Sequence, residues 1–371
     1  MIRGVALNRR YKWGVLGTSS VADQFVEGLG HLPQAEVSAV CARDPEKTKH
    51  FRIKHGIPYF FTSLDDFLNS GAFDILYIAT PNHLHRDHCI QALERSIPVL
   101  FEKPLGVHAE EVREIINASA EKRVFCMEAM WMRFVPLISE LERLIAQKVV
   151  GRPILFTANF CIPFSKEMGN KFSRNPGGGA LLDLGPYPIS LAYSLFGEVS
   201  DIKAEVSMNE VEVDETSVFI LKHQAGVISS IYVSSNVGSE SDVCIIGETG
   251  SIQISAPIYR PYQLRIDHFD RVQQHTVSTS LDLNRKLKRL IRSSLLINRL
   301  SLKASSIVGN FKEFSGTQIC PFIGNGYNYE AEEVMKCLDS GLKQSKIFPL
   351  THSLAVSCII EQITESDTRS K

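Results

Sequence analysis

The sequence is short of several things that mark whole functional classes. It has almost no net charge: 40 Lys and Arg against 41 Asp and Glu leave −1. Such a balance gives no overall field to draw the chain to a polyanion, so no nucleic-acid partner is expected. No apolar run approaches the roughly 20 residues of a membrane-spanning helix. The opening MIRGVALNRRYKW holds no apolar stretch of the signal-peptide kind, so no signal peptide is expected. Eight cysteines are present, Cys41, Cys89, Cys126, Cys161, Cys244, Cys320, Cys337 and Cys358, yet no two share a Cys-x-x-Cys spacing. Scattered thiols in apolar contexts read as buried and free, in a reducing cytoplasm, rather than as zinc ligands. His83, His85 and His88 lie close together, but i, i+2, i+5 spacing does not gather three imidazoles on one face, and no metal is expected.

What is present suffices for a large core: 371 residues, of which 44% are hydrophobic. The chain reads as two units. Residues 1–130 alternate short apolar runs (KWGVLG, EVSAVCA, DILYIAT, IPVLFE, RVFCME) with helical patterns such as HAEEVREIINASAEK. Strands alternating with helices imply right-handed βαβ units, and near-continuous apolarity implies a parallel sheet covered on both faces. In residues 131–371 the grammar changes to longer alternating strands (RPILFTANFCI, VSDIKAEVSM, TSVFILKHQ, GVISSIYVSS, DVCIIGE, GSIQIS). These predict a mostly antiparallel sheet with one face open. A helix is expected over roughly 179–196, and two more near 328–341 and 352–365. The fold class is therefore α/β: a doubly wound parallel sheet followed by an α+β unit. Residues 281–303 hold seven Lys or Arg and one Asp, with Leu283, Leu287, Leu290 and Ile291 on one helical face. They read either as a weak membrane or partner contact or as an insertion whose apolar stripe packs on its own domain.

Three stretches carry chemistry. The first strand runs into GVLGTSSVADQF, where Gly17, Ser19 and Ala22 form G-x-S-x-x-A, a degraded dinucleotide fingerprint. Phosphate would sit on the helix N-terminus, at Thr18, Ser19, Ser20 and Val21, where free N–H groups and the dipole favour an anion. At the second strand's end, the position that would carry an acid for ribose hydroxyls is Ala42. Arg43 follows and Lys47 lies a helical turn on, so NADP is expected, with NAD possible. Two strand ends then present polar groups where open α/β sheets bind ligands: Thr80, Pro81, Asn82 and His85 in IATPNHLHRDH, and Glu102-Lys103-Pro104 after IPVLF. Finally NPGGGALLDLGPYPI opens a helix; if it continues unbroken, Asp183 and Tyr187 share a face.

These motifs, in this order, resemble the glucose–fructose oxidoreductase / inositol dehydrogenase family. MEAMWMRFVP, GGGALLDLGPYPI and GNGYNYEAEEVMKCL look most like its dimeric dihydrodiol dehydrogenase and NADP-dependent xylose dehydrogenase branch. The resemblance implies a Rossmann domain, an open-faced sheet used for a homodimer or larger assembly, and a cis Lys103–Pro104 bond. It implies that Lys103 contacts cofactor and substrate, that Tyr187 is the acid/base, and that His85 contacts the nicotinamide side. Glu102 either holds the turn or contacts the cofactor. Elementary chemistry agrees with the pairing: oxidising an alcohol needs a proton acceptor, and an ammonium beside a tyrosine lowers its pKa. Asp183 can accept hydrogen bonds from substrate hydroxyls, and Trp131 and Arg133 can close the pocket with a stacking face and a cation. The expected activity is NADP-dependent hydride transfer to or from a sugar, polyol or trans-dihydrodiol. The competing reading is a non-catalytic dinucleotide-binding regulator or scaffold on the same fold.

Overall fold

The computed structural model describes residues 9–164, 177–255, 257–269 and 316–368. The basic segment 281–303 and the loop 165–176 fall outside the described residues. The first unit contains β1 (Tyr11–Leu16), α1 (Ser20–Leu29), β2 (Ala35–Cys41), α2 (Pro45–His55), β3 (Tyr59–Phe61), α3 (Leu64–Leu68) and β4 (Ile75–Ile78). It continues with α4 (His85–Glu94), β5 (Val99–Glu102), α5 (Ala109–Lys122) and β6 (Cys126–Ala129). All five pairings are parallel, in the order β3-β2-β1-β4-β5-β6. This is the Rossmann order, with its crevice where the direction of winding reverses, between β1 and β4. Each of β4, β5 and β6 is buried at every position, which explains why their sequences show no alternation. Trp13, Phe25 and Tyr77 bind α1 to the sheet, Phe25 stacking on Tyr77 at 3.6 Å. Such a pair adds about 1 kcal/mol beyond the area it buries.

The chain then passes through α6 (Pro136–Ala146) into β7 (Pro153–Cys161). After α7 (Ala180–Leu184) and α8 (Pro186–Phe196) come β8 (Val199–Met208), β9 (Asp214–His223) and β10 (Ile228–Ser234). The remaining strands are β11 (Val243–Gly247), β12 (Gly250–Ile254), β13 (Gln263–His268) and β14 (Gly316–Ile319). The order is β14-β13-β12-β11-β7-β10-β9-β8, antiparallel throughout except for β7 against β10. β9 and β10 alternate buried and exposed residues: Phe219, Leu221 and Ile231 face inward, while Val218, Ile220, Ile228 and Tyr232 are exposed. Helices cover one face only.

Three features differ from the expectation. β3 is a three-residue edge strand, and β13 and β14 extend the second sheet; all are too short or too polar to show a period. The expected helix over 179–196 is two: α7 ends at Gly185, and α8 restarts at Pro186, whose ring nitrogen has no N–H to give to the preceding turn. The last helices, α9 (Tyr327–Asp339) and α10 (Leu350–Thr368), return to the first unit. Asn325 Nδ2 donates to the Gln24 carbonyl, Tyr11 donates to Asp339, and Glu361 accepts from the Ala109 N–H at the start of α5. No helix among the described residues is long and apolar enough to cross a membrane.

Candidate active site

The β1–α1 turn begins at Gly17, which has φ +116°, where a Cβ would lie 2.5 Å from the Ala79 carbonyl oxygen. Only glycine lets the β1 turn pass this close to the end of β4. Ser19 is the N-cap of α1, its hydroxyl accepting from the Ala22 N–H at 3.3 Å. The hydroxyl that replaces the second fingerprint glycine thus satisfies one helix donor itself, leaving those nearer Ser20 and Val21 for an anion. A cleft of about 620 Å³ opens above this turn, lined among others by Gly17, Thr18, Ser19, Arg43, Lys47, Thr80 and Pro81. Its shape and position fit a dinucleotide: a strand-end crevice, a helix N-terminus for pyrophosphate, and two exposed cations at the end of β2. Sequence reasoning missed Asp44 and His88, which also line it. Asp44 accepts from the Glu46 and Lys47 N–H groups, so the acid nearest the ribose position is occupied in capping α2. His88 bonds Thr80 at 3.0 Å, and burial first, then His85, lowers its pKa.

Lys103 follows the buried end of β5, and the Lys103–Pro104 bond is cis. Its Nζ donates to the Asp183 carbonyl at 2.6 Å and to the Asp183 carboxylate at 2.8 Å. It also stands 5.0 Å from the centre of the Tyr187 ring. The 178–185 signature explains how Asp183 arrives there. Asn82, just past β4, donates to the Gly177 carbonyl at 2.9 Å. The Asp214 carboxylate caps α7 through the Leu181 N–H, and a Cβ on Gly179 (φ +108°) would strike that carboxylate. The glycines therefore serve a close approach, not flexibility. Tyr187, near the start of α8, accepts a hydrogen bond from Trp131 Nε1 at 3.3 Å. That bond leaves its own O–H proton available to donate.

Electrostatics modify the pair. Burial disfavours the Lys103 ammonium, but Asp183 and Tyr187 outweigh it and hold the amine above its ordinary range. Tyr187 goes the other way from the simple expectation: burial outweighs the attraction of Lys103, and its pKa is pushed up to about 12. The physical reason is that the ammonium is already neutralised by Asp183, while Glu102 and Asp183 both oppose a phenolate. Glu102 holds the turn rather than facing the cleft. It is buried, accepts from Tyr77 Oη, and is pushed up to about 7 by burial.

Two expected site residues are engaged within the fold. His85 is fully buried, and its ring nitrogens meet the Pro104 and Thr80 carbonyls at 2.8 and 2.7 Å, so it fastens the two strand ends together. Arg133 is 2% exposed and turns its Nη2 to Glu142 on α6 at 2.7 Å, while its Nε and Nη1 are buried without a hydrogen-bond partner among the described residues. Trp131 does form a wall beside Tyr187, stacked on Tyr327 with 4.9 Å between ring centres.

Comparison with known proteins decides the family. The oxidoreductase family with an NAD-binding Rossmann fold matches residues 11–130, and the GFO/IDH/MocA C-terminal domain matches residues 138–253. The chain belongs to this GFO/IDH/MocA oxidoreductase family. As a family member it is similar to the trans-1,2-dihydrobenzene-1,2-diol dehydrogenase of Xenopus laevis, 30% identical over 361 residues that cover 95% of this chain and 97% of that one. The human enzyme of the same name is 28% identical over 363 residues, covering 96% of each. The fold is that of levoglucosan dehydrogenase in complex with NADH and levoglucosan (TM-score 0.78, 18% identity, 98% of each chain). It is equally that of a 3-ketoreductase from Actinomadura kijaniata in complex with NADP (TM-score 0.76, 18% identity, 96% and 98%). This GFO/IDH/MocA protein is accordingly an oxidoreductase with a nicotinamide-dinucleotide-binding Rossmann domain.

Proposed function

We propose that this protein is an NADP-dependent dehydrogenase or reductase acting on a hydroxyl or carbonyl of a sugar, polyol or trans-dihydrodiol, with Tyr187 as acid/base and Lys103 as its partner. The observation that carries the reading is the meeting of Lys103, Asp183 and Tyr187 past the end of β5, the sheet neighbour of β4, whose own end lines the cleft. A bound nicotinamide supplies or accepts the hydride, and the protein's part is orientation and proton handling. In reduction, Tyr187 gives its proton to the oxygen formed from the carbonyl; in oxidation, it receives the hydroxyl proton. Lys103, fixed by the two hydrogen bonds it donates to Asp183, places a positive charge where that oxygen is negative. NADP is preferred to NAD because Arg43 and Lys47 line the cleft while Asp44 is engaged as a helix cap. A cytoplasmic homodimer joined through the open sheet face completes the reading, supported by the exposed Val218, Ile220, Ile228 and Tyr232.

The test is steady-state kinetics with NADP(H) and NAD(H) over a panel of aldoses, inositols and dihydrodiols. Tyr187→Phe and Lys103→Met should each lower kcat by roughly 10²–10⁴-fold with the fold intact by circular dichroism. Tight NADPH binding without turnover of any panel member would instead favour a sensor.

A further inference from the structure

The cations around the aromatic wall are not all paired with a carboxylate among the described residues. Lys103 is matched by Asp183 and Arg133 by Glu142. A third cation, Arg260, sits on the turn between β12 and β13, where Ile258 is buried and its N–H donates to the Ser241 carbonyl. The Arg260 guanidinium carbon lies 5.4 Å from the centre of the Trp131 ring, the ring whose Nε1 donates to Tyr187. Its neighbour Tyr259 packs against Trp131 and Phe160, and Phe160 meets the Tyr187 ring edge-on at 5.3 Å. Arg260 is thus one ring from the reacting tyrosine through Trp131, and its neighbour Tyr259 is one further ring away through Phe160. Among the described residues no carboxylate pairs with it, which sets it apart from Arg133; its Nε, like the Nε and Nη1 of Arg133, is shut from solvent without a hydrogen-bond partner. A guanidinium held over an aromatic ring and lacking a carboxylate partner suits a planar oxyanion, which a guanidinium meets through two parallel bonds.

We propose that Arg260 is a specificity-determining residue that binds a carboxylate on the substrate, so that the enzyme takes a cyclic sugar or polyol acid whose ring lies against the aromatic wall. The inference rests on the hydride-transfer reading above and names its substrate class. One guanidinium balances one charge, which favours carboxylate over phosphate. Aromatic faces suit the apolar face of a ring while the hydroxyl edge turns to Tyr187 and Asp183. A merely structural Arg260, clamping its turn onto Trp131, makes a different forecast: loss of stability with no change in substrate preference.

The experiment compares D-galacturonate with D-galactose, the methyl ester of galacturonate and galactose 6-phosphate, using the wild type, Arg260→Met and Arg260→Lys. Wild type should show kcat/KM for galacturonate roughly tenfold or more above galactose and the ester. In Arg260→Met that advantage should vanish, and Arg260→Lys should keep part of it. Equal wild-type values for acid and neutral sugar, or an advantage that survives Arg260→Met, overturn the proposal. A preference for galactose 6-phosphate over galacturonate overturns the carboxylate assignment. Binding is read separately, by tryptophan fluorescence of the NADPH-saturated protein and of Tyr187→Phe. If no sugar, polyol or dihydrodiol of the wider panel is turned over, the hydride-transfer reading has failed. Saturable quenching by galacturonate that is absent in Arg260→Met still upholds the anion site, and absence of quenching by either acid overturns it.

Discussion

Tyr187 shows how burial and charge compete at one residue. Next to an ammonium its pKa should fall, yet it stands near 12 because desolvation and two carboxylates outweigh Lys103. The group is therefore a proton donor at neutral pH. Carbonyl reduction should be nearly independent of pH between about 6 and 9, where Tyr187 stays protonated. Alcohol oxidation should rise about tenfold per pH unit toward the alkaline limit of stability. Rate profiles in both directions check this, and an oxidation rate flat above pH 7 would sink it. Glu102 makes a stability prediction. Folded, it titrates near 7, against 4.5 ordinarily. Between those values the folded protein holds a proton that the unfolded chain has released, so stability declines as pH rises through the window. Glu102→Gln removes that titration, and denaturant melts from pH 4.5 to 7 should show a shallower decline. Glu128 and Glu330, raised chiefly by burial, act in the same direction and keep some slope.

At the scale of elements, the site depends on where strands and helices stop. β1 and β2 end at the cofactor cleft, and the α7–α8 break puts the Asp183 carbonyl within reach of Lys103. The sequence shows the glycines and Pro186 that make these ends, but a continuous helix and a broken one have the same apolar period. The break became visible only once Pro186 was seen to open a new helix, with Asp183 in the last turn before it. Arg43 belongs to this scale because the end of β2 presents it. Arg43→Ala should raise KM for NADP by roughly 10–100-fold and leave NAD nearly unaffected. Equal losses with both cofactors would remove the case for NADP. Ser19 was legible as a crowded substitute for glycine; that its hydroxyl would cap α1 required the turn's geometry.

Over the whole molecule, two sheets divide the work. The Rossmann sheet is covered on both faces; the second leaves Val218, Ile220, Ile228 and Tyr232 in a cross-strand patch, with Tyr232 opposite Val218. A contiguous apolar patch of this kind is normally covered by a partner. Tyr232→Glu should convert the proposed dimer to a monomer by light scattering, with the far-ultraviolet spectrum retained; wild-type protein that is monomeric at micromolar concentration would refute the interface. The return of α9 and α10 to the first unit also belongs here. It sets Tyr327 against Trp131 and buries Glu330, so residues from the last fifth of the chain pack against the aromatic wall beside Tyr187.

The sequence by itself determined the fold class, a parallel sheet followed by a mostly antiparallel one, and it singled out Lys103, Asp183 and Tyr187, which the fold brings together. Hydrophobic period, glycine placement and motif order are local properties, and they survive in one dimension. The tertiary structure alone decided which cations are free. His85, Arg133 and Arg260 look equally available along the chain. Folding closes His85 between two carbonyls, pairs one nitrogen of Arg133 with Glu142, and leaves Arg260 over Trp131 without a carboxylate among the described residues. Pairing depends on distance in space, and burial sets its strength, so neither the free arginine nor the raised pKa of Tyr187 can be read from spacing.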